Sequence, residues 1–269
     1  MKDIYFSTES FICIGLEAAL FVGLPVILAL VWRKKTHSPL KPMITGAVTF
    51  LLFALVLKAV PVYLLMGMDS SVSRAINGDP LLYGAVAGIL AGIFEETGRL
   101  LAFKTVLKKN DNKQTSITYG IGHGGIECLY IGLSVLSFIT IGMIVNEQGI
   151  AALSEGMTAD QTETMITQIR DFAGINAGTV FAAVIERASA VMLHIGLSIM
   201  VFASVHNKKQ WYLYPVAILL HTLVDFSVVA LRNVMNIYLI EALFIMEATI
   251  ILVCVYKLIY RADKSVVRS

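Results

Sequence analysis

Apolar residues fall along this chain in seven long blocks, at about 9–32, 43–67, 81–107, 114–146, 176–204, 211–231 and 236–259. Short connectors bearing charge or Pro, Asn and Asp separate them. Each block holds the ~20 apolar residues that a helix needs to cross the hydrocarbon core of a bilayer. The pattern therefore predicts an all-α, polytopic membrane helix bundle with seven transmembrane helices, forming a single membrane domain over 1–269. The first block begins after Met-Lys-Asp-Ile-Tyr and runs on for a whole span, which predicts an uncleaved helix and not a signal peptide. No internal repeat is visible, and the unequal block lengths argue against the matched halves of many transporters.

Charge orients the bundle. Connector 33–41, segments 104–113 and 206–210 and the tail from Lys257 carry 14 of the 21 Lys and Arg, whereas the opposite connectors carry only Lys2, Arg74, Arg170 and Arg232. The positive-inside rule then predicts an N-terminus outside and a cytoplasmic C-terminus. The one long loop, 147–175, has five acids against one Arg. It is either an amphipathic helix, resting on the bilayer or capping a cavity, or a solvated linker.

Composition narrows the class. At 57% hydrophobic and 15% charged over 269 residues, a soluble domain could not hide its apolar surface. Cys13, Cys128 and Cys254 lie in apolar runs at no metal-binding spacing, so neither a disulfide framework nor a cysteine zinc site is supported. Membrane lipid and a membrane protein or peptide substrate are the partners expected, and nucleic acid is not.

Against this apolar background the polar residues form a layer. Counted from the proposed cytoplasmic helix ends at ~1.5 Å per residue, Glu95, His123, His194 and His221 all lie roughly 14–18 Å deep, each on a different helix. In 84-GAVAGILAGIFEETGRLLAFK-104, Gly84, Gly88 and Gly92 form a small-residue stripe that Glu96 continues, which turns Glu96 toward a neighbouring helix. Glu95 stands four residues before Arg99, the favourable order for a helical ion pair that orients the carboxylate, the alternative being a pair that only locks two helices together. In 119-YGIGHGGIECLY-130, His123 and Glu127 share a face, and Gly120, Gly122, Gly124 and Gly125 clear space for a backbone, a metal or a substrate strand. In 186-ERASAVMLHIGLS-198, Arg187, His194 and Ser198 fall near one face, and 221-HTLVD-225 pairs His221 with Asp225. Glu17 and Lys58 are expected to pair across the first two helices, with Lys58 snorkelling as the alternative. His37 and His206 are expected to be solvated.

Glu95, Glu96, Glu127, Glu186, Asp225 and Glu247 face only Arg99 and Arg187 in this layer, so some are protonated or a cation neutralises them. Three histidines beside carboxylates suit Zn²⁺ with an open position for water. Such a site lowers the pKa of water to ~7 and lets a glutamate take its proton.

Together and in order, Glu95-Glu96-x-x-Arg99, 120-GIGHGGIE-127, 186-ERASAVMLH-194 and 221-HTLVD-225 resemble the YhfC family of intramembrane metalloproteases. That family is related to the type II CAAX prenyl endopeptidases and CPBP proteins, to the PrsW proteases and to a non-proteolytic scaffold subunit of gamma-secretase. The resemblance implies that Glu95 and Glu96 correspond to the catalytic pair, His221 to the later histidine and His194 to the other intramembrane histidine. The arginine comes one residue earlier than in the CAAX type, nearer the Glu-Glu-x-x-Lys of PrsW. Asp225 replaces an asparagine, so orienting His221 suits it better than donating to an oxyanion.

The reading that follows is a zinc-dependent intramembrane endopeptidase of the bacterial plasma membrane. Glu95, or Glu96, acts as base with Arg99 holding the pair charged, and His123, His194 and His221 hold the metal. Glu127, Glu186, Arg187, Ser198 and Asp225 surround the site or touch substrate. The alternatives are a non-catalytic scaffold or binding protein of the same fold, and an ion-coupled transporter using the same groups as a relay.

Overall fold

A computed structural model describes residues 4–232 and 234–262. Lys2, Lys264 and Arg268, which enter the charge count above, lie outside these residues. The described chain is all helical and holds seven helices long and apolar enough to cross a membrane: α1 (Thr8–Thr36), α2 (Leu40–Gly67), α4 (Pro80–Lys104), α5 (Gln114–Gln148), α7 (Ala177–His206), α8 (Lys208–Leu231) and α9 (Ile237–Tyr260). Two shorter helices, α3 (Ser71–Gly78) and α6 (Ala159–Ala173), lie between them. Side chains such as Ile27, Leu133, Phe181 and Leu258 are more than 60% exposed, as expected of surfaces that meet lipid.

The chain divides into two compact units, one of Met1–Leu24 and Cys128–Arg187, the other of Pro25–Glu127 and Ala188–Ser269. In the first, Phe6, Ile14, Phe21, Val135, Val145 and Val180 form a core. Helix α6 realises the helical reading of the long loop. Thr158 caps it in a reciprocal capping box with Gln161, which satisfies donors that a helix start leaves open. Its apolar side rests on the protein's own core: Ile169 is buried, Phe172 stacks on Phe138 at 3.8 Å, and Ser10 Oγ donates to the Ala173 carbonyl at 2.7 Å.

In the second unit α4 and α8 lie backbone to backbone. A Cβ at Gly88 would sit 2.6 Å from the Thr222 carbonyl oxygen, and one at Gly92 would sit 2.7 Å from that of Ile218. Only glycine permits this approach, so the stripe read from the sequence is the seam of this helix pair. Asp79 begins α4 by accepting from the Leu81 and Leu82 amides, with Pro80 at the first helical position, where its missing N–H costs nothing. Helix α2 is not a uniform α-helix: Leu51–Leu57 and Tyr63–Gly67 are π-helical turns. Pro61 explains the first, because its ring crowds the carbonyl four residues back, at Leu57, and it has no N–H to donate. The wider turn brings the Lys58 amide onto Phe53 O at 3.1 Å.

Candidate metal and catalytic site

Helix α5 brings His123 and Glu127 against the site, and its glycines show how. At Gly122 a Cβ would lie 1.9 Å from the Met43 carbonyl oxygen of α2, and at Gly46 of α2 one would lie 2.3 Å from the Tyr119 carbonyl oxygen. On the α7 side, a Cβ at Gly120 would come within 2.7 Å of the Ile195 Cα, and one at Gly124 within 3.1 Å of the Val191 Cα. While Gly125 faces the Pro25 ring of α1, the clearance at Gly120, Gly122 and Gly124 is thus filled by two neighbouring backbones. His123 is wedged between them, fully buried, with its ring 5.2 Å from Phe50, 5.9 Å from Tyr119 and 4.7 Å from His194.

The expected Glu95–Arg99 pair does not form. Arg99 Nη1 donates to both oxygens of Glu96, three residues back, and both side chains are wholly buried. On a helix, positions three and four away are both within reach of a guanidinium, so spacing alone did not decide the partner. Arg99 Nη2 lies 3.2 Å from His194 Nδ1. Arginine is only a donor, so Nδ1 must accept. The proton of a neutral His194 therefore sits on Nε2, which donates to Glu127 Oε2 at 2.7 Å.

Glu96 in turn accepts from His221 Nδ1 at 2.8 Å. A carboxylate that holds one ring nitrogen of a histidine leaves the other nitrogen's lone pair outward, the arrangement found behind metal-ligating histidines. That other nitrogen, Nε2, faces Glu95 Oε2 at 3.9 Å and Asp225 Oδ2 at 3.7 Å. Glu96, and not Asp225, is thus the group that orients His221. Asp225 keeps a third of its side chain exposed.

Glu95 has a different cation from the one expected. Lys58 Nζ lies 3.0 Å from its Oε1, and His123 Nε2 lies 3.2 Å from its Oε2. Lys58 thus pairs with Glu95 and not with Glu17. Lys58, Glu127 and Asp225 are the partly exposed members, at 22%, 19% and 34% of their side chains, whereas Glu96, Arg99 and His123 are buried.

Glu95, His194 and His221 each offer one ligand atom, all within 4.8 Å of one another and all buried. Two imidazoles and a carboxylate fit a divalent transition metal. His123 stands against this group through Glu95 and the His194 ring, with its Nδ1 lacking a hydrogen-bond partner among the described residues. Ser198 gives its proton to the His194 carbonyl of its own helix at 2.6 Å. Glu186 and Arg187 belong to the first unit, where they bond each other. Lys58 is the residue that sequence reasoning left out of the site. Counted along α2 it stood further from the cytoplasmic end than the polar layer, so depth spoke against it and no other signal in the sequence pointed to Glu95.

A family model described as YhfC intramembrane metalloprotease matches residues 20–248. The chain is 31% identical over 219 residues to the uncharacterized membrane protein YhfC of Bacillus subtilis (strain 168), covering 81% of this chain and 83% of that protein. No solved structure matches. The family and the seven apolar helices make this a multi-pass membrane protein.

Proposed function

The chain belongs to the YhfC intramembrane metalloprotease family, and on that premise we propose that it hydrolyses peptide bonds of membrane proteins or peptides with zinc and a glutamate-activated water. The observation that carries this reading is the convergence of Glu95, His194 and His221 within 4.8 Å, backed by a carboxylate on the far nitrogen of His221. His221 would hold the ion through Nε2 with Glu95 facing it, and His194 would join them by passing its Nε2 proton to Glu127 and offering that nitrogen's lone pair. When bound, a divalent cation lowers the pKa of water toward ~7 and polarises a carbonyl oxygen.

The chain's own groups divide the remaining work. Glu96 has both oxygens engaged by Arg99, and Oε1 also by His221, so it positions the histidine and is not free to move a proton. Lys58 holds Oε1 of Glu95, while Oε2, which also takes the longer 3.2 Å contact from His123 Nε2, faces His221 Nε2 and is where the proton of an attacking water would be received. Arg99 fixes Glu96 and His194 together, because its planar fork serves two partners at once. The scissile peptide enters between Lys58, Glu127 and Asp225, where the site is least covered. The charge asymmetry of the connectors supports an N-terminus outside and a cytoplasmic C-terminus.

A second reading, a non-catalytic scaffold of the same fold, draws on the Lys58–Glu95 pair, which gives Glu95 a cation without any metal. The deciding experiment uses full-length protein in detergent micelles. Bound zinc is measured, and cleavage of a membrane-peptide library is compared for wild type, Glu95→Gln and His221→Ala. Zinc binding and cleavage that both variants lose support the protease. Absence of zinc and of cleavage in the wild type overturns it.

A further inference from the structure

Away from this site, the second unit has a cavity of about 160 Å³ where the start of α5 meets the ends of α7 and α9. Its polar lining comes from Lys113, Ser116, His206, Asn207 and Gln210, and no lining residue is Asp or Glu. The local bonds use up acceptors and leave donors. Asn207 Oδ1 accepts from the Lys209 amide at 3.0 Å, so its NH₂ is left for another partner. Lys113 Nζ spends one of its three protons on the Tyr260 carbonyl at 3.2 Å, and it sits 4.9 Å from the Tyr260 ring centroid. His206 is held by Nδ1 on the Phe202 carbonyl at 3.0 Å and by stacking on Phe202 at 4.0 Å, which leaves Nε2 outward.

The surroundings carry one sign of charge. Lys104, Lys108, Lys109, Lys208, Lys209, Lys257 and Arg261 are exposed on these connectors and helix ends, against Asp111 alone among the described residues. Trp211 and Tyr212, 68% and 48% exposed, stand on the adjoining turn. Exposed aromatics at the end of a membrane span mark the headgroup level of the bilayer, and basic pockets between spans at that level suit lipid phosphates.

We propose that this cavity is a binding site for the phosphate of a net-anionic headgroup or of free phosphate, with Lys113 and the Asn207 amide as its donors and His206 Nε2 as a third only when the ring is protonated. The site is independent of the metal centre. The test uses full-length protein in nanodiscs of phosphatidylglycerol or of phosphatidylcholine, followed by extraction and mass-spectrometric counting of retained phospholipid. Inorganic phosphate against chloride, read by thermal unfolding, forms the soluble arm.

Wild type is expected to retain phosphatidylglycerol over phosphatidylcholine. Lys113→Gln should weaken retention about fivefold, the worth of one cation near an anionic surface. Asn207→Asp should abolish it while keeping the cap to Lys209, since the new carboxylate still accepts there. Lys108→Gln, outside the cavity, should retain lipid as wild type does. Protection by inorganic phosphate equal to that by phosphatidylglycerol also supports the site and identifies a soluble source. Equal retention of both lipids with no effect of phosphate overturns it, as does Lys108→Gln losing as much as Lys113→Gln.

Discussion

Replacing Gly122 by alanine tests the central packing claim. The added Cβ would lie 1.9 Å from the Met43 oxygen and 2.6 Å from its carbonyl carbon, both backbone atoms, where ordinary contact begins at 3.4 Å. No rotamer change can relieve a backbone clash, so α2 and α5 must part by about 1.5 Å. Overpacking of this kind costs about 1–3 kcal/mol. His123 lies one residue along, and a misplacement of about 1 Å near reacting groups can cost ~100-fold in rate. The control is Gly23→Ala on α1, where a Cβ meets nothing within 4 Å and helix propensity favours alanine by about 0.5–1 kcal/mol. Thermal unfolding in detergent should place Gly122→Ala several degrees below wild type and Gly23→Ala at or above it. If the glycine instead clears space for substrate, Gly122→Ala will melt with wild type and lose only cleavage. That outcome refutes the packing account.

Three further outcomes are expected. Lys58→Met leaves Glu95 without its cation, and removing one partner of a buried pair costs about 3–5 kcal/mol; metal-free protein should melt lower, and added zinc should restore it, whereas a purely structural pair predicts no rescue. Arg99→Lys cannot hold both Glu96 oxygens and His194 Nδ1 at once, so zinc affinity, measured by competition with a chromophoric chelator, should fall about 10- to 100-fold. Glu96→Gln leaves Arg99 without a charged partner at zero exposure; it should reduce the yield of folded protein and unfold at lower temperature than Glu95→Gln, and equal stability of the two would contradict their assigned roles.

Much of the architecture was legible because a bilayer imposes one dominant pattern, long apolar blocks bounded by charge. The depth count brought Glu95, His123, His194 and His221 together because helical rise converts sequence position to height. It could not assign partners. Arg99 reaches Glu96 at three residues as easily as Glu95 at four, and only the surrounding helices decide between them. Asp225 lies four residues from His221, yet Glu96 of another helix took the ring nitrogen. Lys58 follows a π-helical turn that shifts every later side chain around α2. Pro61 hinted at a distortion there but not at its kind. The glycines of α5 were read as clearance with an open occupant, since small residues admit any close neighbour and the sequence does not say which one comes.

The seating of α5 by its glycines separates two pressures that the motif GIGHGGIE superimposes. Gly120 and Gly122 answer to assembly, since any side chain there meets a neighbouring backbone whether or not chemistry occurs. Glu95 and His221 answer to chemistry and are reached from other helices. In a lineage that abandoned hydrolysis, drift would erode the carboxylate and the imidazole while the glycines stayed fixed. Comparing substitution rates at these two sets of positions therefore distinguishes working members of the family from retired ones by inheritance alone.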